Sequence, residues 1–350
     1  MEELARMAAL WNIPAVQTLT WALVKVLIIL NVMLGLVSYL IYAERKICGH
    51  IQARTGPNRV GPYGLLQPIA DVLKLLFKEE FIPAKANKVI FHIAPILAVF
   101  PAIVTFSVIP MGPPPMFVVT DINVGLLLFL AMSSLGVYAI TLGGWASNNK
   151  YALLGGLRSS AQMISYELAM GLSTIPVILK SGTLSLVGIV EHQAGTYQVA
   201  GIPIPNWGIF HWYLVLPFAI FLITAFAETN RAPFDLPEAE GELVAGFHTE
   251  YSSMKWALFF LGEYMNMIVI SSIAVTLFFG GWHGPGPAWA GLAWYLLKLG
   301  ALMFFFIWVR WAFPRLRYDQ LMGFGWKVLL PASIVNVLVA AVWLYGRGTL

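Results

Sequence analysis

Glu167, Glu228 and Glu263 stand out because each lies inside, or at the end of, a long apolar run. A charged side chain near the centre of a bilayer costs at least roughly 2.5 to 3.5 kcal/mol, so acids kept there are expected on a proton or ion path. The plainer alternative is a set of hydrogen-bonded glutamates, or of glutamates that snorkel to the interface. Neighbouring carboxylates in a poorly solvated layer do not all ionise, and they titrate as a group. A second store of acid is Glu228, Asp235, Glu238, Glu240 and Glu242, with Glu250 just beyond, together six of the chain's 17 acids. These alternate with Pro233, Phe234, Leu236 and Pro237, which suits a structured, partly buried loop better than a uniform solvated run. The third feature is the segment 56–64, where Gly56, Gly61 and Gly64 with Pro57 and Pro62 demand a fixed non-helical path. Arg45, Lys46 and Arg54 precede it and Arg59 lies within it. Contact with anionic lipid accounts for the charges, and the ordered turn adds a docking surface.

Covalent chemistry is not legible in the chain. His50, His92, His192, His211, His248 and His283 are isolated, so no metal-ligand spacing is predicted, and no Gly-rich phosphate loop precedes a helix. Ser159 and Ser160 have no His and Asp partners in a catalytic pattern. The single Cys48 excludes a disulfide framework and any cysteine-ligated cluster within the chain, because both need several cysteines. Any redox cofactor therefore belongs to a partner.

The elements that must position these residues are membrane spans. Of 350 residues, 59% are hydrophobic and 11% charged, against about 25% charged in a soluble domain. A span needs about 20 apolar residues, and eight segments qualify, near 18–43, 91–111, 124–142, 163–179, 212–227, 256–281, 294–309 and 326–345. The fold class expected is all-α, a polytopic bundle of about eight transmembrane helices with ordered cytoplasmic loops. Residues 1–350 form one membrane domain, with cytoplasmic loop 1 over 44–90 and acidic loop 5 over 228–255. Within loop 1, residues 65–77 are apolar on one helical face, with Asp71, Lys74 and Lys78 polar, as in a helix lying at the interface. The first run is too long for a signal peptide and lacks a small-residue cleavage site, so it is expected to remain.

Orientation follows from the cations, which are retained on the cytoplasmic side. Loop 1 carries Arg45, Lys46, Arg54, Arg59, Lys74, Lys78, Lys85 and Lys88, and later odd-numbered loops add Lys150, Arg158, Arg231, Lys255, Arg310, Arg315 and Arg317. At the opposite edges Lys180 stands alone. Both termini are expected outside. The net charge of +4 is spread over membrane-flanking loops, so it argues for topology and against nucleic acid. Trp residues at span ends, such as Trp212 and Trp326, are anchors in the headgroup region. Segment 182–211 reads as an ordered outer loop.

Glu44-Arg45-Lys46, the run Gly56-Pro57-Asn58-Arg59-Val60-Gly61-Pro62-Tyr63-Gly64 on to Asp71, and Glu228-Thr229-Asn230-Arg231-Ala232-Pro233-Phe234-Asp235-Leu236 closely resemble one family. It is the quinone-channel membrane subunit of respiratory complex I, the proton-pumping NADH:quinone oxidoreductase. Ser147 to Tyr151, Ile164 to Glu167, and Gly262-Glu263-Tyr264 extend the likeness, which covers about 43–264. The resemblance implies quinone as substrate, with iron-sulfur clusters and flavin held by partner subunits. It implies soluble quinone-module subunits on the loop face, small and antiporter-like membrane subunits alongside, and the inner membrane of a bacterium. Carried onto matching positions, Arg45, Arg54 and Asp71 belong to the loop 1 wall of the quinone chamber, with Phe234, Asp235, Glu238, Glu240 and Glu242 in the acidic loop. Glu167, Glu228 and Glu263 match the glutamates that relay protonation changes. One departure is Gly136, where some members carry a further glutamate, so the polar path there must run through Tyr138 or water. Alternatives are the corresponding subunit of an energy-converting hydrogenase or another quinone-linked dehydrogenase, and a self-contained ion transporter.

Overall fold

The computed structural model describes residues 14–114, 117–199, 202–236 and 243–348. In hydrocarbon each apolar segment must satisfy its own backbone N–H and C=O groups, and helix is the outcome. In chain order the helices are α1 (Pro14–Ile51), α2 (Gln67–Phe77), α3 (Lys88–Phe106), α4 (Gly125–Ala146), α5 (Lys150–Ser181), α6 (Leu186–His192), α7 (Trp212–Glu228), α8 (Ser253–Phe278), α9 (Gly291–Ala312), α10 (Tyr318–Phe324) and α11 (Leu330–Gly346). A π-helical turn, Gly325–Leu329, joins α10 to α11. Seven helices among the described residues are long and apolar enough to cross a membrane, with 318–346 counted as one, and α7 is an eighth of 17 residues. The polytopic all-α fold matches the expectation.

The helix α8 is the axis of the bundle. Every residue from Met267 to Phe278 is buried, and a helix apolar all round belongs in an interior. It meets α3 closely at Gly262, where an added Cβ would lie 2.7 Å from the carbonyl oxygen of Ala98. Outer helices turn Leu23, Leu27, Leu297, Leu338 and Val342 outward, the apolar surface expected against lipid. Helix α5 begins at Lys150, well before residue 163, because Ser159, Gln162 and Ser165 face inward and depress the hydropathy of a stretch that is nonetheless helical. On the far side the segment 182–211 contains α6 and a hairpin, β1 (Thr196–Val199) paired antiparallel with β2 (Ile202–Pro205), in the register Thr196 with Pro205.

The connections that sequence reading assigns to one side do share a face. Asn149 Nδ2 donates to Glu250 Oε1 at 2.6 Å, Ser253 Oγ to the carbonyl of Leu75 at 2.9 Å, and the Leu316 N–H to the carbonyl of Pro233 at 3.1 Å. Lys255 Nζ reaches Glu80 Oε1 at 2.8 Å. Helix α2 lies across this face with none of its residues buried, leaving Ile69, Val72, Leu76 and Phe77 exposed.

Candidate functional site: a buried charge network beside two cavities

The chemistry gathers where α7 ends. Thr229 caps the helix, and Asn230 takes a left-handed conformation at φ 51°, a backbone state that Asn tolerates better than most residues. The N–H of Arg231 then returns to the carbonyl of Phe226 and that of Asn230 to Ala227, closing the paired bonds of a Schellman end. This turn sends Arg231 back under the bundle. Gln162 on α5 pins it, donating from Nε2 to the carbonyls of Ala227 at 2.8 Å and Phe234 at 2.7 Å.

Arg231 is fully buried and lies between two acids. Its Nη1 donates to Glu44 Oε2 at 2.7 Å, and its Nε lies 2.8 Å from Glu263 Oε1. Tyr264 donates to the same Glu44 oxygen at 2.8 Å, while the guanidinium sits 4.2 Å from the Tyr264 ring centre. Arg310 on α9 engages the other oxygen of Glu44. Four helices thus converge on one network of two carboxylates and two guanidiniums, drawn from α1, the end of α7, α8 and α9. Burial makes each charge costly alone, and removing one member of such a set costs about 3 to 5 kcal/mol.

Glu228, three residues before Arg231, is buried with its Oε2 unbonded within the chain. It lines a cavity of about 50 Å³ with Gly136, Met163, Asn230, His248, Glu263 and Asn266. A second space of about 10 Å³ continues past Gly136, Glu228 and Asn266 to Ser133 and Thr105. A water needs roughly 10 to 15 Å³ of such space and a few polar partners, so the larger cavity has room for several waters. Gly136 separates the two without filling either, since a Cβ there would meet only Met163 Cε at 3.9 Å. Tyr138 is 59% exposed and lines neither cavity. At one end of the larger cavity His248 is held down to about 4 by burial.

The other expected residues fall in distinct places. Glu167 lies deep along α5, half-buried, where Ser134 Oγ donates to it; its helical neighbours Ile164 and Leu168 are exposed. Arg45 pairs with Asp71 at 2.6 Å, and both line an open pocket of about 330 Å³ with Lys74, Tyr251 and Trp256. Arg54 is not on that wall; it contacts Gln52 Oε1 and Cys48 Sγ at 2.8 and 3.4 Å. Phe234 is core, edge-on to Tyr166 with centroids 5.5 Å apart, and Asp235 pairs with Arg315 at 2.6 Å. Glu238, Glu240 and Glu242 lie outside the described residues. Sequence reasoning did not single out Glu44, Arg231, Arg310 or Asn266 as site residues. Glu44 carried a signal, an acid on the buried stripe of Ile29, Met33, Val37 and Cys48, whereas the two arginines looked like ordinary positive-inside charges.

Fold and site together define a polytopic helical membrane protein with a buried charge network beside two polar-lined cavities. The NADH dehydrogenase family matches residues 24–341. An H-type NADH-quinone oxidoreductase subunit of Geobacter metallireducens is 54% identical over 91% of this chain and 94% of its own. The H-type counterpart of Syntrophotalea carbinolica is 51% identical over 95% and 98%, and that of Magnetococcus marinus 51% over 92% and 91%. The chain belongs to the NADH dehydrogenase family of membrane subunits, that of the H-type subunits of NADH-quinone oxidoreductase.

Proposed function

We propose that this chain, as a subunit of a bacterial NADH-quinone oxidoreductase (respiratory complex I), forms part of the quinone chamber and couples quinone reduction to proton translocation. The observation that carries the reading is Arg231 shared between Glu44 and Glu263, beside a cavity into which Glu228 brings an unbonded oxygen. Quinone is the substrate, and a partner's iron-sulfur cluster supplies its electrons. The cluster belongs to a partner because a chain with one cysteine offers no ligand set for it, and flavin is assigned to a partner as well. Reduction to quinol takes up two electrons and two protons. A proton added to Glu44 leaves Arg231 with one anionic partner, so its charge shifts toward Glu263 and makes the potential at Glu228 more positive, which favours release of a proton there. A proton lost there moves through cavity water past Gly136. Glu167 receives the change from α4 through Ser134.

The wall of the chamber consists of Arg45, Asp71 and the face of α2, with Arg54 and Asp235 at its margin. The soluble quinone-module subunits cover the exposed apolar side of α2. Small and antiporter-like membrane subunits cover Tyr138, Ile164 and Leu168 around Glu167, since a half-buried carboxylate facing bare lipid costs at least roughly 2.5 kcal/mol. The loops face the cytoplasm, and both termini lie on the periplasmic side of the inner membrane.

The test is Glu228→Gln and Glu167→Gln, each in the intact complex, with assembly, quinone reductase rate and proton pumping in sealed vesicles as readouts. Assembly is expected to persist while pumping per quinone reduced falls. Normal assembly, rate and pumping in both variants would leave these acids as structural groups.

A further inference from the structure

At the end of α8 remote from the charge network, the carbonyls that a helix leaves over are met by two side chains. Gln193, the residue after α6, donates from Nε2 to the carbonyls of Thr276 and Leu277 at 2.9 and 3.2 Å. Its Oε1 accepts the N–H groups of Gly208 and Gly280 at 2.9 and 3.1 Å. Lys298 on α9 takes the next three carbonyls, its Nζ donating to Phe279 at 2.7 Å, to Gly281 at 3.0 Å and to His283. The Trp207 ring covers this ammonium, with its centre 4.0 Å away. Both capping side chains are buried.

The two caps differ in kind. Gln193 satisfies its carbonyls with a neutral amide, whereas Lys298 brings a charge into a span. Its backbone lies about 10 Å along α9 from Gly291, and no carboxylate among the described residues pairs with it or acts on it. A cation kept inside a span, where an amide would serve as a cap, marks a function. The geometry narrows what that function is. An ammonium has three donors and no acceptor, and three carbonyls use all three donors. Lys298 is therefore not free to hold a further anion or to take up a proton, and what it offers its surroundings is its field.

Groups able to carry a proton stand on both sides of that field. Toward the interior, Tyr295 faces Ser272 across the seam between α8 and α9, and neither of these buried hydroxyls, nor that of Ser271, has a partner with hydrogen-bond geometry. Tyr295 lies one turn from Lys298 on the same face of α9. Beyond Lys298, in the turn after α8, His283 has a buried Nε2 without a partner. Glu191 on α6 favours a proton at that ring, yet burial and then the Lys298 charge hold His283 below the ordinary histidine value. Lys298 thus opposes a proton at the group placed to receive one.

We infer that Lys298 is an electrostatic seal, a fixed ammonium at the capped end of α8 that keeps protons inside the bundle from crossing this chain to the outer side. Fixed positive charge bars cations from polar paths in other membrane proteins by the same physics. The inference rests on the reading that protons move within this bundle, and it adds where they do not leave. A cap without this role would stabilise α8 and have no bearing on proton leakage.

The experiment uses the intact complex in sealed vesicles and follows the decay of an imposed pH difference with no NADH or quinone present. Because nothing turns over, the result does not depend on whether Glu228 and Glu167 couple, and normal pumping in their Gln variants would count against the coupling reading alone. Lys298→Met removes the charge at similar length, and the pH difference is expected to decay several-fold faster while a trapped anionic dye is retained. Lys298→Arg, which keeps the charge, should decay like the parent. Adding His283→Gln to Lys298→Met removes the outer acceptor and should slow the decay again. Quinone reductase rate with an uncoupler reports assembly; Lys298→Gln, which keeps an N–H donor for the carbonyls, replaces Lys298→Met if that variant does not assemble. Parent-like decay in an assembled neutral variant would overturn the inference and leave Lys298 as a helix cap. Dye escaping along with protons, or decay that stays fast in the double variant, would also overturn it and assign the leak to loosened packing.

Discussion

At the scale of single residues the chain concentrates its risk in Arg231. The guanidinium is planar and always charged, so it serves Glu44 and Glu263 at once through Nη1 and Nε. Lysine, a point charge, has no such fork. Arg231→Met leaves two buried carboxylates with Arg310 as their remaining cation, and a loss of about 3 to 5 kcal/mol is expected. The measurement is the thermal midpoint of the assembled complex, together with yield. Adding Glu263→Gln to Arg231→Met removes one orphaned charge and should restore part of the loss, because residues in one network are not additive. Strict additivity of the two changes would show that Arg231 and Glu263 do not depend on each other.

At the scale of elements, position is set by close approach and by helix ends. Gly262 lets α8 come against α3 and so fixes the height at which Glu263 and Tyr264 enter the network. Gly262→Val forces the backbones apart; overpacking of this kind costs about 1 to 3 kcal/mol. Quinone-linked activity is expected to fall along with the midpoint, since Glu263 moves with its helix. Retained activity at a lowered midpoint would separate the packing of α3 on α8 from the geometry of the site. The Schellman end of α7 has the same standing for Arg231. Its signal, a Thr-Asn pair closing an apolar run before Arg-Ala-Pro, is present in the sequence, although the direction in which Arg231 returns is set by the paired bonds.

At the scale of the whole molecule, one face carries the linked loops. Cysteines placed in 56–64 are expected to react with a membrane-impermeant thiol reagent applied from the cytoplasmic side, in inverted vesicles, because retained cations orient the chain. Reaction from the periplasmic side alone would reverse the topology. This face also carries a pH dependence. His248 is held at about 4 by burial, below the ordinary value near 6.5, so the folded form keeps it neutral while the unfolded chain takes up a proton. Its contribution is complete above about pH 6.5 and is lost as pH falls toward 4. His248→Gln should flatten the fall of the thermal midpoint across that window; an unchanged slope would place the acid sensitivity in other groups.

Hydropathy and charge pattern by themselves determined the class of fold and the expectation of one loop face, because the bilayer imposes a length on each span and a sign on each loop. They also marked Glu228 and Glu263, since an acid in an apolar run has few bland explanations. Composition did not reveal the start of α5, where inward polar groups such as Gln162 resemble a loop in a hydropathy window. Which arginines become buried partners was decided by tertiary structure alone. Arg231 and Arg310 lie 79 positions apart in sequence and meet on Glu44, and no local pattern separates them from Arg315 or Arg317. The same holds for Gly136. Its lack of a side chain is visible in the sequence, but the space it leaves is a property of the helices packed around it, bounded by Met163, Glu228 and Asn266.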